Sequence, residues 1–148
     1  MSTFKKSLLG LMFFFLMAAK GGRHSVWLVV SNFSTDGQPV TIRFNVSGQD
    51  EDMFIAEQPL AVGTHQLPER KIKAGIYQAV ISADGNRVSA TQPFTLDTDR
   101  WILVNYIRED SASIVRSYGW IDPSRFKKIE GKYATLDISI SQTKPPGL

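Results

Sequence analysis

The segment Val40-Thr-Ile-Arg-Phe-Asn-Val46 alternates without a fault. Val40, Ile42, Phe44 and Val46 share one parity, and Thr41, Arg43 and Asn45 take the other. An extended chain points successive side chains to opposite faces, so this order makes one dry side and one wet side. Leu136, Ile138 and Ile140 repeat the pattern against Asp137, Ser139 and Ser141, and Val88, Ala90, Phe94 and Leu96 share a parity. Two runs, Trp27-Leu-Val-Val30 and Trp101-Ile-Leu-Val104, are apolar on both faces, as central strands covered on both sides are. Turn residues part the runs at Thr35-Asp-Gly-Gln-Pro39, Lys73-Ala-Gly75, Ala83-Asp-Gly-Asn86 and Asp97-Thr-Asp99.

The spacing predicts eight or nine strands, at 26–32, 40–47, 53–58, 64–72, 75–82, 87–96, 100–108, 113–121 and 134–142. Many short strands joined by Gly, Pro and Asp turns make an all-β, antiparallel β-sandwich, here one domain over 22–142. One short helix is expected near the C-terminus, over 122–130. Asp122 would cap it, Pro123 would open it, Gly131 would end it, and Phe126 and Ile129 would plug the sandwich. Thr143-Lys-Pro-Pro-Gly-Leu148 cannot pair as a central strand and is expected to be a flexible tail.

The first 21 residues read differently. Lys5 and Lys6 precede thirteen uncharged residues, Ser7 to Ala19, and Ala19-Lys20-Gly21 sets small residues before a cut. That is the layout of a secretory signal peptide over 1–21, and its apolar run is short of the roughly 20 residues that span a bilayer. The leader also carries the charge excess. The whole chain has 17 Lys and Arg against 14 Asp and Glu; without Lys5, Lys6 and Lys20 the two counts are equal. A balanced domain with no basic run longer than Lys127-Lys128 argues against a nucleic-acid partner. The absence of cysteine excludes disulfides, thiol catalysis and cysteine-ligated zinc.

The order Ile72-Lys-Ala-Gly75-Ile-Tyr77-Gln-Ala-Val80, then Asp84-Gly85, then Phe94-Thr-Leu96-Asp97 and Trp101-Ile-Leu-Val104 resembles the second half of PEGA-like and carboxypeptidase-regulatory-like β-sandwiches. Those modules share an apolar-x-x-Gly-x-Tyr entry to a core strand; Ala74 stands where a proline usually precedes the glycine. The resemblance covers about 35 residues and implies an extracytoplasmic immunoglobulin-like or prealbumin-like sandwich. It implies a structural or binding part and no catalytic residues.

His24 and His65 are the only histidines, and no G-x-S-x-G elbow or HExxH pattern accompanies them. A carboxylate hydrolase would have to draw on Asp97, Asp99 and Glu109 in one pocket. Calcium is the one cofactor the acidic loops suit, through Asp50 and Asp52 beside Glu51, or Asp97 and Asp99. Asp is equally an ordinary turn former. Asn32-Phe-Ser34 and Asn45-Val-Ser47 match the N-glycosylation pattern. Trp27 and Trp101 read as core anchors. Arg116, Tyr118 and Trp120, two apart on the 113–121 strand, would share one face as a ligand-binding platform. The expectation is a secreted or periplasmic, non-enzymatic module that binds a protein or glycan of the cell envelope and meets the membrane only through its export signal. A carbohydrate-binding module using Tyr118 and Trp120 is the first alternative and the carboxylate hydrolase the second. An edge strand could also accept a partner strand by augmentation.

Overall fold

A computed structural model describes residues 21–48 and 52–148. The leader up to Lys20, together with Asp50 and Glu51, lies outside the described residues. The strands are β1 (Arg23–Asn32), β2 (Val40–Gly48), β3 (Asp52–Leu60), β4 (Gly63–Gln66), β5 (Arg70–Lys73), β6 (Gly75–Ala83), β7 (Val88–Leu96), β8 (Arg100–Glu109), β9 (Lys127–Ile129) and β10 (Lys132–Ser141). The helix α1 spans Ser111–Tyr118. β1, β8, β10 and β9 lie side by side in one sheet, with β4 and β5 each pairing a different half of β1. The second sheet runs β3-β2-β6-β7. The molecule is mostly strand, in two sheets rich in antiparallel pairs, as expected of an all-β sandwich.

Alternation decides which side chains enter the core. Val40, Ile42, Phe44 and Val46 are buried, while Thr41, Arg43 and Asn45 are exposed. They meet Val26, Leu28, Val30, Ile102, Val104 and Tyr106 from the facing sheet in one cluster. Tyr77 explains the Gly-x-Tyr order. Its ring occupies the space where side chains at two glycines would stand: a Cβ on Gly48 would lie 2.5 Å from the ring, and one on Gly75 would lie 3.3 Å away. The Tyr77 hydroxyl donates to the Lys73 carbonyl at 2.9 Å, so the buried phenol keeps its polar tip satisfied.

The strand and helix expectations are corrected at four places. First, one pair is parallel: β1 and β8 run side by side with Trp27 opposite Trp101. Strands that are apolar on both faces belong at such a central parallel position. Second, the expected 64–72 strand is two strands, β4 and β5, parted at Leu67-Pro-Glu69. Third, the expected 113–121 strand is not formed, and most of it belongs to the helix α1. The Asp110 carboxylate accepts from the Ser113 amide at 2.7 Å, and Gly119, at φ 81°, ends the helix by donating its N–H to the Val115 carbonyl at 2.8 Å. Two good caps outweigh the apparent two-residue period.

Fourth, 122–130 is not a helix. Asp122 does cap one turn, accepting from the amide of Ser124 at 2.9 Å while its carbonyl accepts from Phe126 at 2.8 Å. The chain then straightens, because Glu130 and Gly131 are both left-handed and close a tight hairpin between β9 and β10. Phe126 and Ile129 are buried all the same.

Trp27 and Trp101 are not in the inter-sheet core. They stack on one another across β1 and β8, centroids 4.6 Å apart and planes 16° apart, on the outer side of the larger sheet. Val29, Trp101, Ile114 and Phe126 are buried but lie outside the main cluster. The large sheet is thus covered on its second face too. Residues 145–148, expected to be loose, lie along that outer face beside Val29 and Leu103. Ser141 and Thr143 turn the chain back there, the Thr143 amide donating to Ser141 Oγ at 3.1 Å.

Phe44→Ala should cost about 3–5 kcal/mol, whereas Asn45→Ala should stay within about 0.5 kcal/mol. Urea denaturation of the two variants checks this, and similar losses in both would mean that β2 is not sorted by face.

Candidate functional site

Parallel β1 and β8 end at the same pole, so the loop after β1 and the last turns of β8 emerge together. Arg108 of β8 sits between two carboxylates there. Its Nε donates to Asp36 Oδ2 at 2.9 Å and its Nη1 to Asp84 Oδ1 at 3.1 Å. Asp36 comes from the β1–β2 loop and Asp84 from the β6–β7 hairpin, so one guanidinium ties the two sheets together. Tyr106, wholly buried, donates its hydroxyl to Asp84 Oδ2, and Lys132 Nζ donates to Asp36 Oδ2 at 2.9 Å. Arg87 and Glu130 pair at 3.1 Å and complete the rim of a cleft of about 420 Å³. Asp84, Asn86 and Glu130, the non-glycine residues with positive φ among those described, all sit in turns at this pole.

The titration of these groups follows from the geometry. Burial pushes the Asp36 carboxyl up, but hydrogen bonds from Lys132, the Gln38 amide and Arg108 outweigh it and bring its pKa to about 2. Burial, then the hydrogen bond and charge of Asp84, push the Tyr106 phenol above its ordinary value of 10. For Arg108, burial works against the charge, yet Asp36, Tyr106 and Asp84 together raise its pKa. Three cations, Arg87, Arg108 and Lys132, face three anions, Asp36, Asp84 and Glu130. Charges so matched hold structure together and leave no excess field to draw an ion.

The sequence-derived ligand residues lie elsewhere. Arg116 is in the last turn of α1, where a cation suits the helix dipole. Tyr118 closes the helix, and its ring meets Phe126 at 5.3 Å and the Arg125 guanidinium at 5.0 Å. Arg125 also donates to Asp137 Oδ2 at 3.0 Å, which pins this corner to β10. Trp120 follows the Gly119 cap. The left-handed glycine separates Tyr118 from Trp120, so they do not share a strand face. Exposed apolar side chains nevertheless follow closely along this stretch: Trp120 is 62% exposed, Val115 45% and Tyr118 38%.

The acidic loop before β8 is spoken for. Asp97 pairs with Arg100 at 2.5 Å, and Asp99 accepts from the Ser25 amide at 2.8 Å and lies 3.9 Å from His24 Nδ1. Asp50 lies outside the described residues, and Asp52 is described as the first residue of β3. Among the described residues no three His, Asp or Glu side chains are grouped as a metal would need. Glu109 ends β8 while Asp97 and Asp99 precede it. A strand of 10 residues parts them, roughly 30 Å at the usual rise, so these carboxylates do not converge as a hydrolase would require. His65 Nε2 sits 2.8 Å from the Ala61 carbonyl in a loop-closing contact. Asn32 is fully buried, its amide donating to the Gln38 and Leu60 carbonyls and its oxygen accepting from Ser34 N–H. That sequon is used for structure; Asn45 points outward from β2.

Set against family models, curated proteins and solved structures, the chain finds no match in any of the three.

Arg108→Met removes the cation shared by two largely shielded carboxylates and should cost about 3 kcal/mol. Lys132→Met removes a half-exposed partner and should cost less than about 1 kcal/mol. A depressed carboxyl stabilises above its ordinary pKa and loses that contribution as pH falls, so the Asp36 share disappears between 3.8 and about 2. A raised phenol works the other way, and the Tyr106 share disappears as pH rises above 10. Melting curves across pH should show Asp36→Asn flattening the acid limb and Tyr106→Phe the alkaline limb; unchanged slopes would contradict the assignment.

Proposed function

We propose that the chain is an exported, non-enzymatic binding module of prealbumin-like type, which recognises a protein of the cell envelope through the exposed side chains of Val115, Tyr118 and Trp120. The observation that carries the reading is the exposure of Trp120. A tryptophan left 62% in water outside the sheets makes no comparable contribution to the core, and burial of such a ring is a frequent source of binding energy. Export is supported by the basic start, short apolar run and small-residue exit of residues 1–21. Of the two sandwich types the sequence resembles, the prealbumin-like one is supported by strand order: the first and eighth strands run parallel at the centre of one sheet, facing β3-β2-β6-β7.

A glycan is the second reading, since flat aromatic rings also stack on sugars. It is the weaker one. Arg125 already lies over the Tyr118 ring and Phe126 tilts against it, so Trp120 alone offers a free ring. Trp120→Ala should lower retention of the envelope partner about thirtyfold, the loss of one hot-spot side chain, and move the melting temperature by less than about 2 °C. Pulldown from envelope fractions beside a glycan array separates the two ligand classes. Retained binding in both assays, or a large drop in melting temperature, would overturn the reading.

A further inference from the structure

The outer face of the larger sheet carries a second feature, independent of Trp120. Its floor is apolar: Val29 of β1 and Leu103 of β8 stand side by side in register. One row further along, Thr64, Ser31 and Asn105 make a polar edge, with Ser31 Oγ and Thr64 Oγ1 3.0 Å apart. The Asn105 amide is exposed and has no hydrogen-bond partner among the described residues. Residues 145–148 lie against these groups and bound, with them, an open space of about 290 Å³ beside the tail.

The occupant of that face is the chain's own end. Pro145 and Pro146 carry no N–H and fix their own φ, so the segment is held extended before it meets the sheet. At its start the Lys144 ammonium lies 5.9 Å from the Trp101 ring centroid. Among the described residues no hydrogen bond ties 144–148 to the sheet. The tail therefore covers the floor without using the polar row. A free extended peptide would gain what the tail forgoes, because an asparagine amide can donate to and accept from a peptide backbone at once.

We propose that this outer face is a binding site for an extended, proline-containing segment of a partner chain, and that residues 144–148 are its tethered, displaceable occupant. Tethering keeps the tail at high effective concentration, so the site is closed to weak competitors and opens only to a segment that also engages Asn105, Ser31 and Thr64. Preorganised proline keeps the entropic cost of that exchange low.

The probe is a fluorescein-labelled Thr-Lys-Pro-Pro-Gly-Leu peptide, read by anisotropy against the full chain. Pro145→Gly, Pro146→Gly and Leu148→Ser, combined in the full chain, loosen the tail without touching the sheet. This variant should bind the probe about tenfold more tightly than the unaltered chain. Adding Leu103→Asp should abolish binding. Should that variant not fold, Thr64→Arg, on an exposed position of the edge strand β4, blocks the polar row and should weaken the probe as strongly. Equal binding with and without the tail substitutions overturns the tethered occupant. Binding that survives Thr64→Arg overturns the site, and equal binding of a peptide with both prolines replaced by alanine overturns the ligand class.

Discussion

A parallel pairing at the centre of one sheet governs the rest of the molecule. β1 and β8 are apolar on both faces, so neither face of their sheet can be left to water. The inner face is covered by β2, β6 and β7. The outer face needs something else, and the chain supplies it in two pieces. α1 and Phe126 cover one part, and residues 144–148 with the stacked Trp27–Trp101 pair cover the other. Parallel direction also brings the ends of β1 and β8 to one pole, where the Asp36 loop and the Asp84 hairpin can both reach Arg108. The ionic contact between sheets is a consequence of topology.

That contact differs from the surface pairs. Arg43–Glu57 and Arg125–Asp137 are about half exposed on both sides, and pairs of that kind contribute up to about 1 kcal/mol each. Asp36, Asp84 and Arg108 are mostly shielded, and each carboxylate holds a further partner, Lys132 or Tyr106. Desolvation makes such a group costly to assemble and costlier to break. It fixes which loops meet at this pole and adds less to net stability than its bond count suggests.

Much of the architecture was legible from local pattern. Val40–Val46 and Leu136–Ile140 sort by face as their alternation predicts, and the doubly apolar runs are central. Where reading failed, two local signals competed. Ile114, Arg116, Tyr118 and Trp120 keep a two-residue rhythm, but Asp110 and Gly119 are capping residues, and the caps prevail. Asp122 and Pro123 promise a helix that the Glu130-Gly131 turn converts into a hairpin. The Arg108 cluster left no trace in periodicity. Its partners are 72 and 24 positions away in sequence, and only the parallel strand pair makes them neighbours. The outer face was equally hidden: Trp27 and Trp101 read as interior residues, whereas they stack on each other there with Lys144 beside Trp101.

Pro93 lies in β7, the last strand of its sheet, opposite Gln78 of β6. An edge strand normally presents a row of free amide donors to any other extended chain. Proline removes one of them midway along that border. Strand addition there is interrupted before it can extend in register. This border is therefore a poor seed for fibres when the molecule is concentrated.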